Sequence, residues 1–337
     1  MSFISEYSYN SFSRSIPFIR YIIIFIVINS IIFHYKIERL FYFFFVSNFL
    51  IFFIVINLVF QYFFGYDVYG NIPYDLNRLS GFYGDDLIAG QVIFILSLPA
   101  ITFPFLIKSE KYISIYFFLT LLTVIIGILL SGQRTALFNF IISLMIFTLV
   151  FNKIIKLNYI FFFIVLFSSI ISLFYFIPSF YARFIKVTYN QLANYLDTSY
   201  SAYQESAIIL WLKYPIFGVG LKNYRNLCSE NLFFSNYNSD PCSTHPHNIN
   251  LELLSELGVI GFFIFLSFFL FYTINVSIKI NKIDYRSKLY FAAFFITTLP
   301  IMFSVIPSGS FFTNTHAIPF WLYLSIASSS LIPKKNN

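Results

Sequence analysis

Long apolar runs alternate with short polar connections along most of the chain. Because a membrane span needs about 20 mostly apolar residues, nine runs predict spanning helices. They cover residues 16–33, 40–64, 87–107, 112–130, 135–151, 157–177, 259–278, 289–306 and 317–332. The pattern therefore predicts an all-α polytopic membrane protein with about nine transmembrane helices.

One long segment interrupts this alternation. Residues 178–258 are too polar to span a membrane and too aromatic for a disordered linker. The segment opens with an amphipathic stretch, Ser179–Lys186, and continues in a helical pattern through Tyr203 and Trp211. A loop this long is usually functional. We expect N-terminal transmembrane helices in 1–177, a catalytic helical loop in 178–258 and C-terminal transmembrane helices in 259–337.

Composition excludes a water-soluble globule. The chain is 58% hydrophobic and only 10% charged, whereas soluble domains are about 25% charged. Its net charge of +7 does not indicate nucleic acid, because no basic patch interleaved with exposed aromatic residues remains once the connections are assigned. The N-terminus lacks the pattern of a cleavable signal peptide.

Lysine and arginine mark one face of the membrane. Most of them lie in alternate connections, which the positive-inside rule places in the cytoplasm. These cations are Lys36, Arg39, Lys108, Lys111, Lys153, Lys156, Lys279, Lys282, Arg286, Lys288, Lys334 and Lys335. The 178–258 loop then lies outside. The N-terminus, with Arg14 and Arg20, also falls outside, so either one span is miscounted or the first run is interfacial.

Both cysteines, Cys228 and Cys242, lie in the outer loop. An oxidising compartment permits a disulfide there, and closing so short a loop would stabilise the protein by about 3 kcal/mol. Two free thiols without a role remain the alternative, because the sequence does not give their separation.

Four polar motifs also fall on the outer face. In the first, His247 and Asn248 precede a G-x-x-G element, Gly258 and Gly261, by nine residues. Asn248 suits the cap of a short helix that Gly258 would end. This places His247 beside a helix N-terminus, where anions are favoured. A histidine that only hydrogen-bonds the turn is the alternative.

The second motif is a proline and glycine turn, P-x-x-G-x-G, at Pro215, Gly218 and Gly220, followed by Arg225. Glycines let the backbone approach a ligand closely. The planar guanidinium of Arg225 suits the oxygens of a diphosphate. A plain tight turn explains the glycines about as well.

The other two motifs carry arginine near the ends of predicted spans. Ser131–Ala136 contains Arg134, and Arg78–Asp86 begins with Arg78. Arg134 is a candidate phosphate ligand, with a snorkelling membrane anchor as the alternative. Arg78 is a third candidate, and the acidic pair that ends its motif is expected only to cap the next helix.

Together the motifs resemble the O-antigen ligase and polymerase family. The H-N-x9-G-x-x-G pattern is similar to the ligase signature. Ser131–Ala136 is similar to the family's S-G-S-R-T-A, with Gln133 in place of a small residue. The Arg78 motif is similar to R-x-S-G-x-F, although Tyr83 stands where Phe is common. Pro307–Phe312 is similar to a family ending and implies no chemistry.

The resemblance implies a glycosyltransferase of the bacterial inner membrane with a periplasmic active site. It would move a glycan from undecaprenyl diphosphate to an acceptor hydroxyl, such as that of lipid A core, in lipopolysaccharide biosynthesis. The implied reaction inverts the anomeric carbon and needs no cofactor and no metal.

The resemblance also assigns roles to residues. His247 would be the general base, since the ordinary pKa of histidine lies near the working pH. Arg225, Arg134 and Arg78 would bind the diphosphate, and these cations should meet His247 in one cavity. Asn248, Gly258, Gly261, Gly218 and Gly220 would support the motifs.

Several alternatives remain open. A repeat-unit polymerase of the same family would carry similar segments. A membrane transporter or flippase would need ionisable groups inside the spans, which are nearly absent apart from Arg20. Glu252 and Glu256 compete as proton acceptors if the short helix turns them inward, and His316 is a possible partner of His247.

Overall fold

The computed structural model describes residues 8–34, 40–73, 75, 77–107, 112–155, 159–230, 241–302 and 307–329. Within these ranges the chain forms helices and loops, with one isolated bridge between Asp75 and Arg78 and no strand. The predicted all-α membrane fold is confirmed.

The helices follow the apolar runs and add short ones in the outer loop. Their bounds are α1 Ser8–Ser15, α2 Ile19–His34, α3 Leu40–Phe64, α4 Ala89–Leu106, α5 Ile113–Ser131, α6 Arg134–Ile155, α7 Tyr159–Phe176, α8 Pro178–Phe180, α9 Val187–Ala193, α10 Ser199–Lys213, α11 Tyr224–Glu230, α12 Ile249–Ile280, α13 Tyr285–Met302 and α14 Asn314–Ser328. A π-helix, Tyr181–Lys186, joins α8 to α9.

Within the described residues each predicted run contains a helix, but the count of nine spans is not confirmed. Among the described residues six helices are long and apolar enough to cross a membrane, or seven if one bent pair counts. That pair, Leu166–Phe176 and Pro178–Ala193, bends by 103°. Pro178 explains the break, because proline cannot donate the hydrogen bond that would continue α7. The last helix, α14, has only 15 residues.

The predicted cytoplasmic cations are only partly described. Lys36, Arg39, Lys108, Lys111, Lys156, Lys334 and Lys335 lie outside the described residues. The acidic pair Asp85 and Asp86 does not cap α4. That helix starts three residues later with Ile88 at the N-cap and no side-chain cap, so this expectation is wrong.

The chain divides into two compact units. One comprises Met1–His34, Gln191–Lys282 and Met302–Asn337, and the other comprises Tyr35–Asn190 and Ile283–Ile301. We call them the histidine unit and the arginine unit, after the site residues that each contains. The predicted division into three consecutive segments is a different partition and stays a prediction.

In the arginine unit α3, α4 and α5 pack closely on one another. Gly127 of α5 lies so near α3 that an added Cβ would fall 2.5 Å from Val55. Asn48 of α3 donates to the Thr120 hydroxyl of α5 at 3.1 Å. Small residues and interhelical hydrogen bonds of this kind hold helices together in lipid.

In the histidine unit α2 packs against α14. Asn29 joins them, since its amide donates to Ser325 at 2.9 Å and its oxygen accepts from Ser328 at 3.1 Å. Arg20, at the start of α2, donates to Asn314 at 2.5 Å. The basic N-terminal residue thus anchors one end of this helix pair.

The outer loop has a small core of its own. Val219, Leu210, Leu227 and Tyr224 are buried together with Cys228, which binds Cys242 in a disulfide with Cα atoms 5.6 Å apart. This core joins α10 to α11 and gives the glycine turn between them a fixed base.

Candidate functional site

The two glycine motifs of the histidine unit pack directly on each other. A Cβ added to Gly218 would fall 2.5 Å from the Gly258 nitrogen, and one added to Gly258 would fall 2.3 Å from the Ile216 oxygen. Both glycines have positive φ, 67° and 65°, which side chains rarely adopt. We expected these glycines to let the backbone approach a ligand closely. In the structure they let two protein segments approach each other.

Backbone hydrogen bonds on both sides of Gly258 stabilise the contact between the two glycine motifs. Val219 donates to Ser255 at 2.8 Å and Gly220 donates to Glu256 at 2.9 Å. Val259 donates to Pro215 at 2.9 Å. Gly258 itself breaks the helix, with φ 65° and ψ −176°. The short helix Ile249–Leu257 is therefore held by the glycine turn rather than by the span that follows.

Asn248 caps this short helix as predicted. Its side-chain oxygen accepts from the backbone of Asn250 at 3.0 Å and of Leu251 at 3.2 Å, a standard N-cap arrangement. His247 directly precedes the cap with a positive φ of 52°. Its carbonyl accepts from Ser308 at 2.8 Å, so the backbone of His247 is held from both sides.

Two tyrosines of α10 surround the His247 ring. Tyr203 stacks on it with ring centroids 5.4 Å apart, and Tyr200 meets it edge-on at 5.5 Å. His247 is half-buried, and burial lowers the pKa of its imidazole below the ordinary value. The ring is therefore neutral near pH 7 and has a nitrogen able to accept a proton.

His245 lies against His247, with ring centroids 4.0 Å apart. Its Nδ1 is 2.8 Å from the Thr244 hydroxyl. Burial above all, and then the nearby His247 and Lys222, lower the pKa of His245 to about 3. Two adjacent neutral imidazoles thus occupy the site.

Glu252 and Glu256 do turn inward, each about 1% exposed. Both Glu252 oxygens are occupied: one accepts from the Ser310 hydroxyl and the other from the Phe311 backbone at 2.8 Å. Glu256 accepts from the Lys222 backbone at 2.6 Å. Through these contacts the two side chains join the helix that follows Asn248 to the segment of Lys222 and to the segment of Ser310 and Phe311. Both therefore have a structural role.

Lys222 and Ser310 belong to the hydrogen-bond network around Glu252 and Glu256, although the sequence motifs assigned them no role. The Lys222 ammonium donates to the Ser310 hydroxyl at 2.7 Å. A lysine two residues after a glycine turn and a serine in a motif without assigned chemistry carry no local signal. Only the packing of distant segments brings them together.

Arg225 also belongs to the histidine unit. It is exposed, in the first turn of α11, which begins at Tyr224. Gly261 lies in α12, one turn after the break at Gly258.

In the arginine unit the other two motifs also pack together. A Cβ added to Gly132 would fall 2.2 Å from the Asn77 oxygen and 3.0 Å from Arg78 Cγ. A Cβ on Gly90 would fall 2.2 Å from the Ser131 hydroxyl. The Leu79 backbone donates to Leu130 at 3.2 Å. The Arg78 motif therefore lies directly on the Ser131–Arg134 turn.

Three arginines gather at this turn. Arg183 donates to the Gly132 carbonyl at 3.0 Å, and Arg134 donates to Thr188 at 3.1 Å. Arg78 is half-buried beside Gly132, and its Nε is buried without a hydrogen-bond partner. Arg183 was not among the predicted anion ligands, because its amphipathic stretch signals only a surface helix.

Arg78 and Arg134 belong to one unit and Arg225 and His247 to the other, so their predicted common cavity stays a prediction. Within the described ranges no three histidine, cysteine or acidic residues are grouped to hold a metal ion.

Residues 119–266 match the family model described as O-antigen ligase. The match contains Arg134, Arg225 and His247 and leaves out Arg78. No curated protein matches the chain.

Proposed function

We propose that the chain is a ligase of the O-antigen ligase family, whose model matches residues 119–266. The proposed donor is a glycan on undecaprenyl diphosphate, and the proposed acceptor is a hydroxyl of lipid A core. The reaction would complete lipopolysaccharide in the bacterial inner membrane. The outer loop would then face the periplasm, as the distribution of lysine and arginine suggests.

The environment of His247 carries this proposal. A diphosphate departs readily, so the protein must mainly neutralise it and activate the acceptor. His247 is half-buried with a lowered pKa, and two tyrosine rings fix its orientation. A neutral, oriented imidazole is what a general base requires. In the proposed mechanism it takes the proton of the acceptor hydroxyl as that oxygen attacks the anomeric carbon, which inverts.

The arginines would neutralise the departing diphosphate. Guanidinium groups bind phosphate oxygens through charge-assisted hydrogen bonds, which strengthen where water is excluded. Arg225 is the candidate in the histidine unit, and Arg134 and Arg78 are the candidates in the arginine unit. Charge neutralisation by arginine makes a metal ion unnecessary in this mechanism.

The direct test is glycan transfer by purified protein in lipid nanodiscs, with a synthetic undecaprenyl-diphosphate glycan and lipid A core. We expect glycosylated core without an ion gradient. A transporter would instead move the lipid-linked glycan across vesicles and form no new glycosidic bond.

Ligase and polymerase are separated by the lipopolysaccharide of a strain that lacks the gene. Loss of all O-antigen from the core is expected for a ligase. A core that carries a single repeat unit would show that the acceptor is another lipid-linked repeat and that the enzyme is a polymerase. We favour the ligase because the His247 motif is closer to the ligase signature.

A further inference from the structure

The segment 308–312 contacts two histidines of the outer face, His247 and His316. The Ser308 backbone donates to the His247 carbonyl at 2.8 Å. Gly309 lies against the His316 ring, where an added Cβ would fall 2.4 Å from Cε1. This segment, to which the sequence assigned no chemistry, thus contacts the candidate base and its possible partner.

Lys222 is held by its backbone and by the ammonium of its side chain, and the ammonium contacts the same segment. Its backbone donates to the Glu256 carboxylate at 2.6 Å. Its ammonium donates to Ser310 at 2.7 Å and lies 5.9 Å from the centroid of the Phe312 ring. The Glu256 contact thus fixes the backbone of Lys222, and the contacts with Ser310 and Phe312 fix the position of its charge.

The backbone at this position is strained. Among the described residues only two that are not glycine have positive φ, and they are Lys222 at 60° and His247 at 52°. Such conformations cost about 1–3 kcal/mol each and persist where the surroundings enforce them, commonly at functional sites. Both strained residues lie in this one network.

The network places one lysine beside two buried acidic residues. Glu252 and Glu256 are about 1% exposed, and buried carboxylates need a nearby cation or hydrogen-bond donors. Ser310 links Lys222 to Glu252, because it accepts from the ammonium and donates to the carboxylate. Lys222 supplies the positive charge on this side of the site.

The same charge acts on the imidazoles. Burial is the largest cause of the lowered pKa of His245, and Lys222 adds to it. His245 lies 4.0 Å from His247 between ring centroids. Protonated His245 would place a positive charge beside His247 and oppose its uptake of a proton. An uncharged His245 therefore favours His247 as a base.

We propose that Lys222 is a positioning residue for the histidine site. Its positive charge adds to burial in keeping His245 and His316 neutral, and its bond to Ser310 holds the segment that supports the His247 backbone. This role rests on the proposed function of His247 as general base. The titratable groups that face the network are His245, His247, His316, Glu252, Glu256, Tyr200 and Tyr203.

The test follows the four histidines by NMR in nanodiscs containing protein labelled at the histidine ring carbons. Lys222→Gln removes the charge but keeps a donor, Lys222→Arg keeps both, and Lys213→Met is a control at an exposed lysine of α10. We expect the titration midpoints of His245 and His316 to rise by ~0.5–1 pH unit in Lys222→Gln. In Lys213→Met these two midpoints should stay as in the wild type.

Transfer assays provide the second readout. Lys222→Gln should move the acidic limb of kcat/KM to higher pH, and Lys222→Arg should restore it. A structural role alone would lower activity without moving that limb. Unchanged midpoints in Lys222→Gln overturn the proposal. So does loss of folded protein in both Lys222→Gln and Lys222→Met while Lys222→Arg folds, because Lys222 would then be a structural counter-charge.

The NMR titration needs no activity, so its outcome is independent of the proposed function. If the midpoints shift in Lys222→Gln but a His247 variant keeps full activity, the effect of the Lys222 charge on the imidazoles stands. His247 would then not be the base. The positioning role in catalysis would fall with it.

Discussion

The imidazole rings of His245 and His247 lie with centroids 4.0 Å apart, on either side of Pro246. The ring contact places a second titratable group beside the candidate base. The charge state of His245 therefore bears on whether His247 can take a proton. Several predictions depend on this pair and on the contact between Gly218 and Gly258.

Loss of the candidate base should reduce transfer without loss of the fold. We expect His247→Ala and His247→Asn to lower kcat by about 10² to 10⁴, the usual scale for a general base. Asparagine tolerates the positive φ of 52° at this position, so it separates chemistry from backbone strain. The measurement is transfer in vitro by equal amounts of folded protein, with His34→Ala as the control. Near-normal turnover in His247→Asn would remove His247 from the mechanism.

Replacement of Arg225 by lysine should weaken donor binding. The variant keeps the charge but loses the planar fork that binds two oxygens at once. Loss of one charge-assisted hydrogen bond costs about 1.5–3 kcal/mol, so we expect KM for the lipid-linked donor to rise about tenfold or more. Arg14→Lys, at an exposed position of α1, is the matched control. An unchanged KM would exclude Arg225 as a diphosphate ligand.

The contact between the glycine motifs should tolerate no side chain. In Gly218→Ala the new Cβ would lie 2.5 Å from backbone atoms of Glu256 and Gly258, so we expect a loss of about 2 kcal/mol or more. Gly70→Ala is the control, because its φ of 89° is also positive but nothing lies within 4 Å. The difference in apparent Tm measures the steric effect alone. Equal losses in both variants would show that only the backbone conformation matters.

Acidification should destabilise the fold through His245. Its pKa is about 3 in the fold and about 6.5 when unfolded, so the unfolded chain binds the proton more tightly. The stability is fully present above about pH 6.5 and is lost as pH falls towards 3, by up to about 1.4 kcal/mol per pH unit. Apparent Tm between pH 7.5 and 5 should fall less in His245→Gln than in the wild type. Parallel curves would assign the acid sensitivity to other groups.

Removal of the disulfide should loosen the outer loop. The bridge closes a sequence separation of 14 residues, for which the chain-entropy estimate is about 3 kcal/mol. We expect the Cys228→Ser/Cys242→Ser variant to melt at lower temperature than the oxidised wild type and close to the reduced wild type. Insensitivity of the wild type to reductant would contradict a stabilising bridge.

The sequence by itself determined the helical membrane fold, because lipid offers the backbone no partners and only closed hydrogen-bonded structures such as helices satisfy it. It also determined the local cap of Asn248 and the helix break at Gly258, which depend on neighbours in the chain. It did not determine the number of spans, since a second helix begins at Pro178 and bends by 103° from the preceding apolar helix.

The tertiary structure alone decided which motifs meet. Gly218 contacts Gly258, Gly132 contacts Arg78, and Lys222 contacts Ser310. These pairs are far apart in the chain, and each depends on how closely two backbones approach. No periodicity or local motif records such a distance. For that reason the sequence identified His247 and its cap, whereas Lys222 and the segment that supports His247 became visible only in the packed chain.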